Sequence, residues 1–526
     1  MPPERGSRLK HVPRTGLATL ILLALTLSAA ARADWTTVED AWYELTIDDV
    51  KAGWMHTSVD RSGEGTADDR FRTEVETWFR LARGGALVTA RTAWSFIDDA
   101  SGKPLECTLR QELSQQVIDT HWSFQSEGVE VTKKQGKRVT TKRYMTPPGT
   151  WLTPRMADAF ARKRRASGVE SFEYRTLDPE SGLQPVAVRV RRVEETTHDV
   201  DGRVIPVTVW EAASDSSPDA AREHYTSDGH MLEQHVDARL GAVVMRLTDE
   251  AAARRMTGRD APEIFVDSLI NIDRRLEAVD GTSVMRYRLR TKTGAMPRLP
   301  DAGAQRVVAD AEGGASVVTV DIGVPSEASD EEVADTAYRE ASLLVTSDDA
   351  LVKKLARRGA RFGEAGTLER AEAQRLVVAA HITRKSLATA FATAAETART
   401  RQGDCSEHAV LLAAMLRADG IPSRLASGLV YVPRFRDRYN VFGWHMWTQA
   451  LIEGRWIDLD ATLPQRYHAG HLLTGVSAGS DGRRGEDTLT MLQLIGNLEI
   501  DVLEVEHAED PLRVTPLRRG TGGRPR

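Results

Sequence analysis

Cys405 lies in a sequence context that can turn a thiol into a nucleophile. Asp404 precedes it, and Glu407 follows Asp404 by three residues, which is the spacing of a helix-capping box. Apolar residues continue at helical spacing from Leu411 to Leu416, so a helix is predicted to begin at Cys405. The free NH groups and the dipole of a first helical turn stabilise an anion, whether a thiolate or a developing oxyanion. This pattern favours nucleophilic attack on a carbonyl carbon.

A downstream pair of β-like runs can supply a base and the carboxylate that orients it. The runs flank Glu453-Gly454, which can form a two-residue hairpin loop. In the register that this loop sets, His445 and Asp460 lie on one face of the hairpin as diagonal neighbours. Asp458 shares that face but lies two positions further along the strand. The geometry therefore favours Asp460 over Asp458 as the partner of His445.

These segments resemble the transglutaminase-like superfamily in its bacterial branch. The matching blocks, in order, are Gly403-x-Cys405, Arg417-Ala418-x-Gly420-Ile421-Pro422-x-Arg424, Gly428, Gly443-x-His445 and Trp456-x-x-x-Asp460-x-Thr462. The resemblance spans residues 326–462 and implies a papain-like fold, with the cysteine on a helix and the histidine and aspartate on neighbouring strands. It also implies that Cys405 is the nucleophile, His445 the base and Asp460 the orienting residue.

The chain departs from the family pattern in three respects. Ala461 stands where the family often has proline. Animal transglutaminases use a tryptophan upstream of the cysteine in the oxyanion hole, but the nearest upstream tryptophan here is Trp210, so no second oxyanion donor is assigned. No loop resembles an EF-hand, so the calcium dependence of the animal enzymes is not carried over, and we expect no cofactor.

A metal site is the main rival chemistry for the same residues. Cys405 and His408 are three residues apart on the predicted helix, and His445 and Asp460 could complete a set of four ligands. A Cys-x-x-His pair without a second such pair is a weak zinc signal. We therefore predict no bound metal.

Several aromatic residues lie close to the three candidate catalytic residues in the sequence. Trp444, Trp447 and Trp456 could line a substrate groove or belong to the core, and we expect Trp444 and Trp456 in the core. His468 and His471 follow the second β-like run, and we predict that both are loop or rim residues.

The chain has two cysteines, Cys107 and Cys405, so it is not a disulfide scaffold. Two cysteines could pair in an oxidising compartment. The context of Cys405 instead predicts a free thiol, and Cys107 is expected to be a packed residue of the β-rich region.

The first 33 residues are typical of a secretory signal peptide. A basic segment ends at Arg14, an apolar run covers Leu17 to Leu27, and small residues precede Asp34. The apolar run is shorter than the roughly 20 residues that span a bilayer. We predict that the mature chain begins at Asp34, is exported to the periplasm or the extracellular space, and has no stable membrane insertion after cleavage.

The spacing of apolar residues along the chain predicts an α+β fold, whose strands and helices must position the candidate site. Strand-like alternation with turn pairs such as Asp201-Gly202 dominates the first half, and helical spacing dominates after Pro325. We therefore predict antiparallel β-rich N-terminal domains before a papain-like, transglutaminase-like catalytic domain. The predicted boundaries are 1–33 for the signal peptide, 34–258 for a β-rich domain, 259–325 for a small β-rich domain, 326–510 for the catalytic domain and 511–526 for a flexible tail.

The overall charge limits the class of partner. The formal net charge is −6 and no long basic stripe is present, so nucleic acid is not an expected partner. We predict a cysteine hydrolase or acyltransferase, of protease or amidase type, that acts on a protein or peptide through a thioester. Hydrolysis is favoured over amine transfer because water is always present. The alternative is a non-catalytic extracytoplasmic binding or scaffold protein that contains a transglutaminase-like domain.

Overall fold

A computed structural model describes residues 35–507, apart from 64, 67–68, 114–115, 201, 218, 239–240, 257–260, 310–313, 389–391, 464–465 and 480–492. The predicted signal peptide, its cleavage site before Asp34 and the predicted tail at 511–526 lie outside the described residues. Within the described ranges, no helix has both the length and the apolar character that crossing a membrane requires.

The first half of the chain forms one antiparallel sheet of fourteen strands. The strands are β1 (Trp35–Ile47), β2 (Val50–Ser62), β3 (Arg70–Arg83), β4 (Ala86–Asp99), β5 (Pro104–Leu113), β6 (Gln116–Gln125), β7 (Gly128–Gln135), β8 (Arg138–Tyr144), β9 (Ser171–Leu177), β10 (Pro185–Val200), β11 (Arg203–Ser214), β12 (Ala221–Tyr225), β13 (Met231–Ala238) and β14 (Gly241–Thr248). Two meanders, β1–β8 and β9–β14, join where β1 pairs with β14. The antiparallel β-rich N-terminal region that the sequence predicts is confirmed.

Two helices pack on this sheet, α1 (Pro154–Ala166) and α2 (Glu250–Arg254). Alternation along the strands provides the apolar face, and Cys107 lies in one of its clusters beside Phe96 and Trp122. Cys107 is 3% exposed, as expected for a packed structural residue.

A second antiparallel sheet has four strands in the order β17-β18-β16-β25. They are β16 (Thr282–Thr291), β17 (Gln305–Ala309), β18 (Ala315–Asp321) and β25 (Leu498–His507). This sheet therefore combines residues from the predicted small domain with a strand near the end of the predicted catalytic domain. Its core is continuous with that of the sheet that contains Phe442. Tyr287 of β16 packs edge-on against Phe442, with 5.9 Å between the ring centroids.

The remaining elements surround the candidate site. The helices are α3 (Ile264–Asp267), α4 (Asp330–Ala334), α5 (Ala350–Gly359), α6 (Leu368–His381), α7 (Ala394–Thr400) and α8 (Cys405–Ala418), with 3₁₀ turns at Val279–Gly281 and Thr336–Tyr338. The strands are β15 (Ile270–Asn271), β19 (Arg384–Lys385), β20 (Gln402–Gly403), β21 (Ser423–Phe435), β22 (Arg438–Ile452), β23 (Arg455–Leu459) and β24 (His471–Ser477). The main sheet has the order β15-β22-β21-β24, and β23 pairs with β22.

Helix α8 is the centre of the predicted catalytic domain. Every residue from Ala409 to Leu416 is at most 2% exposed, because α5, α6 and α7 cover the helix on one side and β21 and β22 on the other. A helix that is apolar all round is stable only when it is enclosed in this way. The enclosure fixes Cys405, at the first turn of α8, relative to the β22–β23 hairpin.

Candidate active site

The N-terminus of α8 is built as the capping pattern predicts. The Asp404 side chain accepts a hydrogen bond from the Ser406 NH at 2.9 Å, and the Glu407 side chain accepts one from the Asp404 NH at 2.9 Å. Cys405 is the first residue of the helix, half-buried, with a free thiol. Cys107 is also free, so the predicted absence of a disulfide is confirmed.

The β22–β23 hairpin has the predicted register. Its two loop residues, Glu453 and Gly454, have φ values of 49° and 75°, as a two-residue type I′ turn requires. Gln449 faces Asp458 across the pair. Asp460 follows the end of β23.

His445 and Asp460 meet in the interior of the protein. His445 Nε2 lies 2.8 Å from Asp460 Oδ2, and the Asp460 side chain is fully buried. The second oxygen, Oδ1, accepts a hydrogen bond from the Thr462 NH at 2.7 Å. The hypothesis that Asp460 rather than Asp458 pairs with His445 therefore agrees with the geometry.

The electrostatics of this pair favour an imidazolium. Burial alone would lower the pKa of His445, but the Asp460 charge and hydrogen bonds to Asp460 and Cys405 raise it to about 10. Burial alone would raise the pKa of Asp460, but the neighbouring imidazole rings of His445 and His471 hold it well below its usual range. Because Nε2 of His445 is committed to Asp460, Nδ1 is the nitrogen left for the Cys405 sulfur. A thiolate beside an imidazolium is the reactive form of a cysteine nucleophile.

His468 lies in the loop before β24, as predicted, whereas His471 is the first residue of β24, so the prediction of a loop or rim position was wrong for His471. Both side chains are buried, at 1% and 0% exposed, and β24 brings His471 next to Asp460. His471 Nδ1 donates to the His468 carbonyl oxygen at 2.9 Å, and its Nε2 lies 3.3 Å from Asp460 Oδ2. No local pattern marks His471, since its position depends on the pairing of β24 with β21.

Asp458 has a different set of partners. Its Oδ1 accepts hydrogen bonds from Trp447 Nε1 and Gln449 Nε2, both at 2.7 Å, and its Oδ2 accepts one from the Ala304 NH at 2.8 Å. Burial raises the pKa of Asp458, and the bonds from Trp447 and Gln449 oppose that shift. Asp458 therefore ties the hairpin to the neighbouring small sheet.

The tryptophans divide between core and site. Trp456 is fully buried beneath the Arg424 guanidinium, 3.9 Å from the ring centroid, as expected for a core residue. Trp447 is 1% exposed and stacks near His445, with ring centroids 6.2 Å apart. Trp444 is half-buried, so it is less enclosed than the sequence predicts.

The four ligands of the zinc alternative are not brought together. Among the described residues at this site, the group whose ligand atoms all lie within 4.8 Å of one another is His445, Asp460 and His471. It contains neither Cys405 nor His408. The His408 ring is turned back onto its own helix, with Nδ1 2.5 Å from the Asp404 carbonyl oxygen.

Comparison with known proteins agrees with this geometry. Residues 353–461 match the family model of the transglutaminase-like superfamily. The match covers α8, the β22–β23 hairpin and all three candidate catalytic residues. The chain therefore contains a transglutaminase-like domain. No curated protein matches the chain.

Three solved structures share limited similarity with the chain. A beta-barrel-like protein of a domain of unknown function from Brucella abortus is 13% identical, with a TM-score of 0.30, over 40% of this chain and 95% of its own. A provisionally named cysteine protease from Cytophaga hutchinsonii is 15% identical, with a TM-score of 0.27, over 43% and 90%. A provisionally named protease from Parabacteroides distasonis is 12% identical, with a TM-score of 0.18, over 76% and 70%.

Proposed function

We propose that this chain is an exported transglutaminase-like cysteine enzyme that acts on amide bonds, in a peptide or a glutamine carboxamide, through a thioester. The observation that carries the proposal is the buried His445–Asp460 pair, held at 2.8 Å, beside the thiol at the N-terminus of α8. A nucleophile, a base and an orienting carboxylate in this arrangement are the minimum for nucleophilic acyl transfer.

Acylation begins with the thiolate of Cys405. Its sulfur attacks the amide carbonyl carbon, and NH groups of the first turn of α8 stabilise the negative oxygen that develops. His445 then gives the Nδ1 proton to the leaving nitrogen, the C–N bond breaks, and an amine departs. Asp460 keeps the ring oriented throughout, because its bond to Nε2 persists while Nδ1 exchanges the proton.

Release of the acyl group reverses these roles. Neutral His445 removes a proton from an incoming nucleophile, which attacks the thioester carbonyl carbon, and the C–S bond breaks to regenerate the Cys405 thiolate. Water as nucleophile yields a carboxylic acid, and an amine yields a new amide. We favour water because it is always present, and we take an extracytoplasmic protein or peptide as the substrate.

Thiol-directed labelling tests the catalytic proposal. Cys405 in the folded chain should react with a thiol electrophile faster than in the urea-unfolded chain, and Cys405→Ala should remove that reaction. Cys107 serves as the internal reference, because burial, foremost, raises its pKa and so suppresses its thiolate. If the folded chain reacts no faster at Cys405 than the unfolded chain, the scaffold alternative is the correct one.

A peptide assay separates hydrolysis from transfer. A library of glutamine-containing peptides is incubated with the enzyme, with and without a primary amine, and products are read by mass spectrometry. Hydrolysis gives cleavage or deamidation in both conditions, whereas transfer gives a covalent amine adduct. Predominance of the adduct would reverse our preference for water.

Export is tested separately. In the secreted fraction, the mature amino terminus should be Asp34 by mass spectrometry. Recovery of chains that retain Met1 in the membrane fraction would contradict export by a cleaved signal.

A further inference from the structure

The hairpin between β3 and β4 brings the N-terminal sheet against the catalytic domain. The NH groups of its tip residues, Gly84 and Gly85, donate to the Glu263 carboxylate at 2.9 and 3.0 Å. Arg436, in the turn between β21 and β22, donates to the Gly84 carbonyl oxygen. The hairpin tip is therefore anchored at several points, on both the linking segment and the catalytic sheet.

Arg83 is the residue of this hairpin that reaches the nucleophile helix. Its Nη1 donates to Asp404 Oδ2 at 2.5 Å, although the two residues are 321 positions apart. The side chains of Arg83 and Asp404 are 22% and 6% exposed, so the pair is largely shielded from water. The other carboxylate oxygen of Asp404 accepts hydrogen bonds from the NH and the hydroxyl group of Ser406.

The position of Asp404 creates an electrostatic problem for catalysis. A carboxylate next to Cys405 repels the thiolate, and the repulsion is strongest where water is excluded. Glu407 lies on the same turn, but burial, foremost, and the Asp404 charge raise its pKa to about 7, so it is partly neutral at physiological pH. Asp404 is therefore the carboxylate whose negative charge a nearby cation must offset if a thiolate is to form at Cys405.

The other titratable groups at this end of α8 do not supply that cation. The amino group of Lys385, in β19, donates a hydrogen bond to the Thr462 carbonyl oxygen at 2.5 Å. His408 is kept neutral, because burial, foremost, lowers its pKa. His445 pairs with Asp460. Over the part of the chain that the structure describes, Arg83 is the cation within ion-pair distance of Asp404.

We propose that Arg83, contributed by the N-terminal sheet, is a positioning residue of the catalytic centre that offsets the Asp404 charge and so permits a thiolate at Cys405. The inference rests on the proposed function. It makes the fourteen-stranded sheet a functional part of the enzyme, because the catalytic domain alone would leave Asp404 without its counter-ion.

A double-mutant cycle in the full chain tests the inference. Arg83→Gln, Asp404→Asn and the double variant are alkylated with iodoacetamide across a pH series, and the Cys405 peptide is quantified by mass spectrometry. We expect Arg83→Gln to raise the pH midpoint of alkylation by about one unit, which slows the reaction about tenfold below the midpoint. Asp404→Asn should lower the midpoint and abolish the effect of Arg83→Gln, since asparagine keeps the capping oxygen but not the charge.

Two further variants separate charge from docking. Arg83→Lys should retain most of the wild-type midpoint, because it keeps the cation. Glu263→Gln weakens the anchor of the same hairpin without contacting Asp404, and it should leave the midpoint unchanged. If Arg83 only held the hairpin in place, Arg83→Gln and Glu263→Gln would change the pH midpoint of alkylation to the same extent. If Arg83→Gln does not fold, Arg83→Lys and Asp404→Asn still decide the question.

The outcomes distinguish this inference from the proposed function. If wild-type Cys405 reacts rapidly but its midpoint is the same in Arg83→Gln, or in Asp404→Asn, the role of Arg83 is refuted and the enzyme assignment stands. If wild-type Cys405 reacts no faster than in the unfolded chain, the proposed function fails, and the inference falls with it.

Discussion

His471 and Asp460 are in contact beneath the candidate catalytic pair: His471 Nε2 lies 3.3 Å from Asp460 Oδ2, the oxygen that also faces His445. His471 Nδ1 donates a hydrogen bond to the His468 carbonyl oxygen at 2.9 Å. The Asp460 carboxylate therefore lies between two imidazole rings, those of His445 and His471.

His471→Phe tests whether this second imidazole supports turnover. The substitution keeps a ring of similar size but removes both ring nitrogens, so the buried carboxylate loses its contact with His471 Nε2. We expect kcat to fall about tenfold or more, in line with the value of hydrogen bonds to charged groups. His468→Ala is the matched control, because it retains the carbonyl that holds His471, and its kcat should change much less. Equal kcat for His471→Phe and the wild type would contradict a supporting role.

Asp460→Asn and Asp458→Asn should separate catalysis from structure. Asp460→Asn removes the charge that orients His445, and we expect turnover to fall by roughly 10⁴-fold with little loss of folding, as with other triad aspartates. Asp458→Asn disturbs three buried hydrogen bonds and should lower the free energy of unfolding by about 1–3 kcal/mol, with a much smaller effect on turnover. Steady-state kinetics and urea unfolding measure the two effects. The assignment is wrong if Asp458→Asn is the inactive variant.

The His445–Asp460 pair makes stability depend on pH in a defined direction. Because the pKa of His445 is raised from 6.5 to about 10, the folded chain holds a proton in this range that the unfolded chain releases. The stabilisation is complete below pH 6.5 and is lost as pH rises through about 10. We expect the free energy of unfolding to decline over this window more steeply in the wild type than in His445→Gln. Parallel declines would show that the folded-state pKa is not raised.

The two-residue hairpin loop is a separate test of register. Insertion of one alanine between Glu453 and Gly454 would shift β23 by one position and turn Asp460 away from His445. We expect loss of turnover while the fast alkylation of Cys405 falls less, because the thiol keeps its place on α8. Gly454→Asn is a suitable control, since asparagine tolerates positive φ and keeps the loop length. An insertion variant with normal turnover would contradict the register argument.

The sequence could predict the parts of the site that depend on local rules. The capping box at Asp404 and Glu407 and the register set by Glu453-Gly454 each follow from a few adjacent residues, and both are present in the structure. The large antiparallel sheet was also predictable as a class, because strand alternation and turn pairs recur along the first half of the chain.

The site residues that the sequence analysis missed are placed by contacts between segments that are far apart in the chain. His471 is placed by a strand that pairs with β21, and Arg83 is 321 positions from Asp404. Neither residue differs in local sequence from an ordinary surface histidine or arginine, so periodicity and turn chemistry carry no signal for them. The error at His471 has the same origin, since its burial depends on how separate strands assemble.

The pairing of β25 with β16 has a consequence for how the chain matures. The two strands exchange backbone hydrogen bonds across more than half of their length, yet residues 282–291 are made long before residues 498–507. Until the later strand arrives, β16 presents an open row of NH and C=O groups next to the nearly inaccessible side chains of Met285 and Tyr287. In a chain that stalls or is cleaved before Leu498, this edge of β16 therefore stays unpaired, and an unpaired strand edge promotes self-association. Pairing with β25 covers this edge of β16 once synthesis is complete.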